Sequence, residues 1–199
     1  MEDNKIILVS GFEPFGGDNI NPTELIIDKL PDAINGFLIK KILLPVEFIN
    51  GPKILIEEYD KIKPSAVIML GQAGGRSAIT PELQGKNIMD VYAPDNSGYQ
   101  PSNLPIINNG PDILLSTLPL DKIIEGMNAL NIPCELSKSA GTYVCNCLLY
   151  NMLYYNKGEV PTGFIHVPFI KEQNHLDKPS FEFDDVYTAV LTILDIITK

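Results

Sequence analysis

Short apolar runs alternate with longer amphipathic segments along almost the whole chain. Four runs have the length and composition of buried strands, and a fifth is a weaker candidate: KIILVS (5–10), FLIKKILL (37–44), AVIML (66–70), GFIHV (163–167) and, less clearly, PCELS (133–137). Strands that are apolar throughout belong to parallel sheets that are covered on both faces. The sequence therefore predicts an α/β fold, a three-layer α/β/α sandwich with a mainly parallel mixed sheet.

Helical periodicity fills the segments between these runs. Helices are predicted over 22–30, 47–62, 119–130, 143–156 and 184–198. The first has the clearest start, because Asn21 can accept a capping hydrogen bond, Pro22 suits the first helical position and Glu24 follows at the third. Its beginning is therefore the best defined helix boundary.

One long stretch, residues 93–117, fits neither pattern. It is rich in Pro, Gly and Asn and predicts a surface excursion or an irregular hairpin. We find no repeat and no linker, and a chain of 199 residues with 45% hydrophobic content suits one domain over 1–199.

Composition and charge exclude several classes of partner. The net charge is −10 and the basic residues are scattered singly, so we expect neither nucleic acid nor an anionic membrane as partner. No apolar stretch approaches the roughly 20 residues of a bilayer span. The opening MEDNKIILVSGF lacks the basic start of an export signal. The whole chain has three cysteines, an odd number. We therefore expect a cytoplasmic protein with reduced thiols.

In parallel sheets, ligands bind beyond the carboxyl ends of the strands. The loops after residues 10, 70, 138 and 167 should therefore converge on one site. The first, GFEPFGGDNINP, carries Phe12 and Phe15, whose rings suit the walls of a pocket for a small planar ring. A glycine-rich turn with its phenylalanines in the core is the alternative, and composition alone favours it.

The second loop, GQAGGRSAITPELQGKN, offers Gln72, whose side chain both donates and accepts and so suits an amide. Glu82 follows in a segment with no obvious ion-pair partner. Taken alone, Glu82 is predicted to be a solvated surface acid.

The third loop, SAGTYVCN, places Cys145 in the first turn of a predicted helix. Unpaired N–H groups and the positive end of the helix dipole favour a thiolate there and could hold an oxyanion. A buried core thiol is an equally good interpretation, since the helix is apolar and free cysteine is often buried. Cys147, two residues later, is assigned to packing.

The fourth loop follows GFIHVPF, in which His166 lies near the carboxyl end of a strand. The other histidine, His175, lies in the polar KEQNHLDKPS, which predicts an exposed loop. If a Cys–His pair exists, His166 is its histidine, and Glu82 is available to orient the imidazole.

Six blocks in this order, GFEPFGG, GQAGGR, ITPE, APDN, SAGTYVCN and GFIHVPF, resemble the signatures of the pyroglutamyl peptidase I family, over nearly the whole chain. The resemblance implies cleavage of the N-terminal pyroglutamyl residue from peptides by a catalytic triad, here Cys145, His166 and Glu82. It implies no metal and no cofactor. We expect a thioester intermediate on the cysteine.

The resemblance also implies that Phe12 and Phe15 flank the lactam ring while Gln72 and Asn21 help to fix it. Pyroglutamate has no charged amine, so such a pocket needs apolar walls and amide hydrogen bonds rather than a carboxylate. The family's fold is phosphorylase/hydrolase-like, and its members commonly form homodimers or homotetramers.

Two positions depart from many bacterial relatives, which have arginines where this chain has Leu83 and Tyr92. The departures imply less positive charge near the thiol. Two other functions are weighed: a catalytically silent module that binds a lactam or peptide, and a nucleoside phosphorylase. Retention of all three triad residue types opposes the first, and the lack of a phosphate cradle opposes the second.

Overall fold

A computed structural model describes residues 5–199. The acidic opening Met1–Asn4, on which part of the export prediction rests, lies outside them. The strands are β1 (Ile6–Phe12), β2 (Ala33–Ile34), β3 (Phe37–Leu44), β4 (Ala66–Gln72), β5 (Thr80–Pro81), β6 (Gln84–Lys86), β7 (Ile113–Leu115), β8 (Thr162–Val167), β9 (Phe169–Ile170) and β10 (Ser180–Phe181). The helices are α1 (Pro22–Lys29), α2 (Asn50–Ile62), α3 (Leu120–Ala129), α4 (Val144–Asn156) and α5 (Phe183–Ile197), with a 3₁₀ turn at Lys171–Gln173.

The central sheet has the strand order β2-β3-β1-β4-β8-β5. Its four inner strands are parallel, and the short edge strands β2 and β5 are antiparallel to their neighbours. Helices α1, α3 and α5 pack on one face, and α2 and α4 pack on the other. The predicted three-layer sandwich with a mainly parallel mixed sheet is confirmed.

Strand β1 illustrates why the sheet must be covered twice. Ile7 and Val9 point into the cluster under α1, α3 and α5, whereas Leu8 points into the cluster under α2 and α4. All three are at most 1% exposed. Successive side chains of a strand alternate between faces, so an apolar run of this kind is stable only between two layers.

The start of α1 is as predicted. Asn21 lies before the helix in extended conformation, and its Oδ1 accepts from the backbone N–H of Thr23 at 3.0 Å. Pro22 occupies the first helical position, where its missing N–H is not needed. The prediction for α2 began too early, because Glu47 N–H bonds to Pro45 O in a separate turn.

The fifth predicted strand, PCELS, is wrong as a strand. This segment makes only two isolated bridges, between Ile79 and Cys134 and between Glu82 and Ser137. Pro81 lies between the two bridges and has no N–H with which to continue the ladder. The interrupted pairing nevertheless holds the segment around Glu82 against the edge of the sheet.

The excursion over 93–117 belongs to an irregular hairpin. Strands β6 and β7 pair antiparallel at its base, and Met89 and Leu104 form a further antiparallel bridge.

None of the helices within residues 5–199 combines the length and the hydropathy that a bilayer span requires.

Candidate active site

His166 and Glu82 meet on the face of the sheet that α4 covers. Strand β5 pairs antiparallel with β8, with Thr80 opposite His166, and Glu82 lies two residues beyond Thr80 on the same face. The Nδ1 of His166 is 2.7 Å from Oε1 of Glu82. Both side chains are buried, Glu82 completely. Two residues far apart in sequence therefore form a close buried pair.

Arg76 makes a third member of this cluster. Its Nη1 donates to Oε1 of Glu82 at 2.8 Å and also contacts Thr80, and its Nη2 donates to the carbonyl of Ser139 at 3.1 Å. The prediction of Glu82 as a solvated acid without a partner is wrong, because β5 turns it inward onto an arginine and a histidine. Arg76 is the single arginine of the chain, in the GQAGGR block, and that rarity was the signal for its role.

The protonation of the pair follows from its surroundings. Burial alone would raise the pKa of Glu82, but the hydrogen bond and charge of His166, with contributions from Ser137 and Arg76, outweigh it and hold that pKa below 4.5. Burial lowers the pKa of His166 below 6.5, although Glu82 opposes the shift. At neutral pH, ionised Glu82 thus accepts the Nδ1–H of a neutral imidazole, which leaves Nε2 as an acceptor.

Cys145 lies in the first turn of α4, and its sulfur lies close to Gly71 of β4. A Cβ added at Gly71 would lie 3.0 Å from the Cys145 Sγ. Gly71 is the register partner of His166 in the parallel pairing of β4 with β8. Residues paired in this way direct their Cβ atoms to the same face, so the thiol and the imidazole share one face at one level of the sheet.

Burial opposes ionisation of the Cys145 thiol in the free protein. Burial raises its pKa to about 12, the charge of Glu82 adds to the rise, and Arg76 opposes it. Desolvation of the charge thus opposes the thiolate that the start of the helix is predicted to favour. The resting groups are a neutral thiol and a neutral imidazole.

The start of α4 leaves backbone donors free. The N–H groups of Val144 and Asn146 donate to no residue that the structure describes, and that of Cys145 is directed at its own sulfur. The first helical bond is from Cys147 N–H to Tyr143 O at 3.1 Å. The preceding loop is fixed to the hairpin, since Thr142 Oγ1 donates to Asp90 O at 2.6 Å and Tyr143 Oη donates to Pro94 O at 3.0 Å.

A narrow cleft, with a cavity volume of only about 10 Å³ in the unliganded protein, lies against the sulfur. Its lining is formed by the ends of β1 and β4, the first loop, the loop after β3 and the start of α4: Phe12, Phe15, Asn21, Val46, Gln72, Tyr143, Val144 and Cys145. All four residues expected to hold a ring are thus together with Cys145. His166 and Glu82 lie outside this lining, on the β8 and β5 side. None of the lining side chains carries a charge at neutral pH.

The two amide side chains of the pocket differ. Asn21 is occupied by the fold: its Nδ2 donates to Glu13 O at 3.0 Å, and its Oδ1 accepts twice from Thr23, at 3.0 and 2.8 Å. Gln72 accepts at Oε1 from Gln173 at 2.7 Å. Asn21 therefore shapes the first loop, and Gln72 is the amide whose NH₂ group donates to no residue that the structure describes.

The APDN block secures the wall of this pocket. Asn96 Nδ2 donates to Glu13 Oε1 at 2.9 Å and to Pro14 O at 3.2 Å, and Asp95 accepts from the N–H of Phe48 at 2.9 Å. The hairpin thus holds the loop that carries Phe15.

Within residues 5–199, no group of three or more His, Cys, Asp and Glu side chains is arranged to hold a metal ion.

Comparison with known proteins decides the family. Residues 5–199 match the family described as pyroglutamyl peptidase. The chain belongs to the pyroglutamyl peptidase family. The resemblance seen in the six sequence blocks is confirmed.

Individual members of the family are similar over nearly their whole length. Pyrrolidone-carboxylate peptidase 1 of Caldanaerobacter subterraneus is 40% identical, over 97% of this chain and 98% of its own. The pyrrolidone-carboxylate peptidase of Thermococcus onnurineus is 45% identical over 87% of this chain and 88% of its own. The solved pyroglutamyl peptidase I from Bacillus amyloliquefaciens superposes with a TM-score of 0.94 at 34% identity, covering 98% of this chain and 95% of its own.

The two positions at which this chain differs from many bacterial pyroglutamyl peptidases differ in their exposure to solvent. Tyr92 is fully exposed, whereas Leu83 is half-buried and donates its N–H to Ser137 O at 2.7 Å. Neither position supplies a positive charge, as expected. Arg76 nevertheless places one against Glu82.

Cys147 contrasts with Cys145 on the same helix. It is 1% exposed, and its sulfur accepts from Asn151 Nδ2 at 3.3 Å. Burial raises the pKa of this thiol to about 12 as well. Its assignment to packing is confirmed.

Proposed function

We propose that this protein is a cysteine exopeptidase that hydrolyses the N-terminal pyroglutamyl residue from peptides. The observation that carries the proposal is the Cys145 sulfur at an uncharged pocket walled by Phe12 and Phe15. Membership of the pyroglutamyl peptidase family, shown over residues 5–199, supports it. We assign the activity to one catalytic domain over 1–199 and, from the family resemblance alone, expect a homodimer or homotetramer.

The chemistry of the pocket suits the proposed substrate. A lactam ring is flat and neutral, so it can lie against the phenyl rings without leaving a charge unpaired. An ordinary peptide N-terminus would bring an ammonium group into a pocket whose lining includes no carboxylate. Burying that unpaired charge is costly, so free amino termini are excluded.

In the proposed first step, Nε2 of His166 takes the proton of the Cys145 thiol as the sulfur attacks the pyroglutamyl carbonyl carbon. A C–S bond forms, and the carbonyl oxygen becomes an oxyanion near the free N–H groups at the start of α4. Glu82 accepts the Nδ1–H of His166 at 2.7 Å and stabilises the imidazolium that forms.

The intermediate then collapses. The C–N bond breaks, His166 gives its proton to the leaving amine, and a thioester remains on Cys145. Water attacks the thioester with His166 as base, and the C–S bond breaks with return of a proton to the sulfur. The products are free pyroglutamate and the shortened peptide. Neither half of the reaction requires a metal or cofactor.

Hydrolysis of a chromogenic pyroglutamyl amide tests the proposal. We expect turnover by the wild type, its loss after alkylation, and a fall of at least about 10³-fold in Cys145→Ala. Cys147→Ala is the matched control, because it removes a thiol from the same helix without touching the pocket. Full activity in Cys145→Ala would reject the nucleophile. Ring binding without turnover in the wild type would instead identify a silent binding module.

A further inference from the structure

The side chain of Gln173, in the 3₁₀ turn after β9, joins the pocket to the first loop. Its Nε2 lies 2.7 Å from Gln72 Oε1, 3.1 Å from Ile20 O and 3.3 Å from Asp18 Oδ2. Its Oε1 accepts from the N–H of Ile170 at 3.1 Å. Both ends of this amide are therefore engaged.

These partners determine which way the amides point. A backbone N–H can only donate, and a carbonyl or a carboxylate can only accept, so Gln173 must direct its oxygen to Ile170 and its nitrogen to Ile20 and Asp18. Gln72 then faces a donor and must turn its own oxygen to it. The NH₂ group of Gln72 then points away from Gln173, and it donates to no residue within the described part of the chain.

We propose that Gln173 is a positioning residue that fixes the amide of Gln72 so that its NH₂ group donates to the lactam carbonyl of the substrate. The inference rests on the proposed function and deepens it. Gln72 and Cys145 line the same pocket, which brings a bound ring close to the Gln72 side chain. A flipped Gln72 would set oxygen against oxygen, and the substrate carbonyl would lose its hydrogen bond on desolvation.

The support behind Gln173 is itself held in place. Asp18 also contacts Nε2 of His175 at 3.1 Å, and the ring of His175 packs on Phe169 at 4.0 Å between centroids. The first loop and the segment after β9 are thus tied together. Gln72 is oriented before the substrate arrives, which lowers the free energy that binding must spend on ordering.

The first experiment compares two Gln173 variants on the pyroglutamyl amide. Gln173→Leu frees Gln72 to rotate, and we expect KM to rise about five- to tenfold with kcat changed less than threefold, since one hydrogen bond contributes about 0.5–1.5 kcal/mol. Gln173→Glu keeps the acceptor for Ile170 but presents a carboxylate to Gln72, which favours the flipped amide. A larger rise in KM is expected. Glu172→Gln, on the same turn, is the control.

The second experiment is a double-mutant cycle with Gln72→Leu. If Gln173 acts through Gln72, then Gln173→Leu has almost no further effect once Gln72 is removed. Additive losses, or a loss carried by kcat with a lowered melting temperature, would show a structural role and overturn the inference. An unchanged KM in Gln173→Leu would overturn it too. Absence of wild-type turnover would reject the proposed function, and this inference with it.

Discussion

The chain has only two histidines, and each is paired with a carboxylate. Nδ1 of His166 lies 2.7 Å from Glu82, and Nε2 of His175 lies 3.1 Å from Asp18. Each imidazole also packs on a phenylalanine ring, Phe164 in one case and Phe169 in the other. By contacts alone the two pairs are nearly equivalent.

Their surroundings separate them. The His166 and Glu82 side chains are 5% and 0% exposed, whereas those of His175 and Asp18 are 26% and 24% exposed. Burial lowers the pKa of His166. Cys145 lies on the same face of the sheet as His166. A carboxylate beside a histidine is thus a poor sign of catalysis by itself. A desolvated pair next to a thiol is a better one.

The largest expected difference is between His166→Asn and His175→Asn. Removing the proposed base and acid should lower kcat/KM by about 10³-fold, within the usual range for general acid–base catalysis. His175→Asn should lower it less than about threefold, because it only loosens the support of Asp18. Steady-state kinetics on the pyroglutamyl amide measure both. Equal losses would remove the distinction between the two pairs.

Replacing Glu82 should lower activity more than replacing Asp18, by a smaller factor than separates the two histidine variants. Glu82→Gln keeps a hydrogen-bond acceptor for His166 but not the charge that stabilises the imidazolium, so we expect a loss of about 10- to 100-fold in kcat. This is less than the loss in Cys145→Ala. Asp18→Asn retains an oxygen that accepts from Gln173 and should cost less than about fivefold. A larger effect at Asp18 than at Glu82 would contradict the comparison.

Gly71 lies against Phe164 and Gly74 lies against Phe169, so an alanine at either position disturbs the packing around one of the two histidines. A Cβ at Gly71 would lie 2.5 Å from the Phe164 ring and 3.0 Å from the Cys145 sulfur. A Cβ at Gly74 would clash with the ring of Phe169. Overpacking of this kind costs about 1–3 kcal/mol of stability, so both alanine variants should melt at lower temperature.

Only Gly71→Ala should also displace the thiol. We expect it to lower kcat/KM about tenfold, against less than threefold for Gly74→Ala, with thermal melts run beside the kinetics. Equal activity in the two variants would mean that the sulfur's contact with Gly71 has no bearing on the reaction.

The sequence predicted the layers well because strands β1, β4 and β8 are buried on both faces and are therefore mostly apolar. Periodicity alone identifies such strands. PCELS failed because a single residue, Pro81, interrupts the pairing from the neighbouring segment. A propensity-based interpretation of residues 133–137 does not contain that information.

For the site, the loops that carry Phe12, Gln72, Cys145 and His166 could be placed at one edge of the sheet by topology. The partners of those residues could not. Arg76 reaches Glu82 only because β5 turns back along β8, and His175 is half-buried rather than exposed because Asp18 reaches it from a loop 157 residues away. The raised pKa of Cys145 likewise depends on burial that only the packed structure defines.

The smallest expected effect concerns pH and tests the buried pair most directly. His166 must be neutral to accept the proton of Cys145, and burial lowers its pKa, so kcat/KM should rise with pH through a midpoint below 6.5. The thiol, with a pKa of about 12, adds no second limb up to pH 9. Glu82 raises the pKa of His166, so Glu82→Gln should move the midpoint lower still, by less than about one unit. His175→Asn should leave the midpoint where it is, and a midpoint above 6.5 in the wild type would show that the imidazole is not desolvated in the working protein.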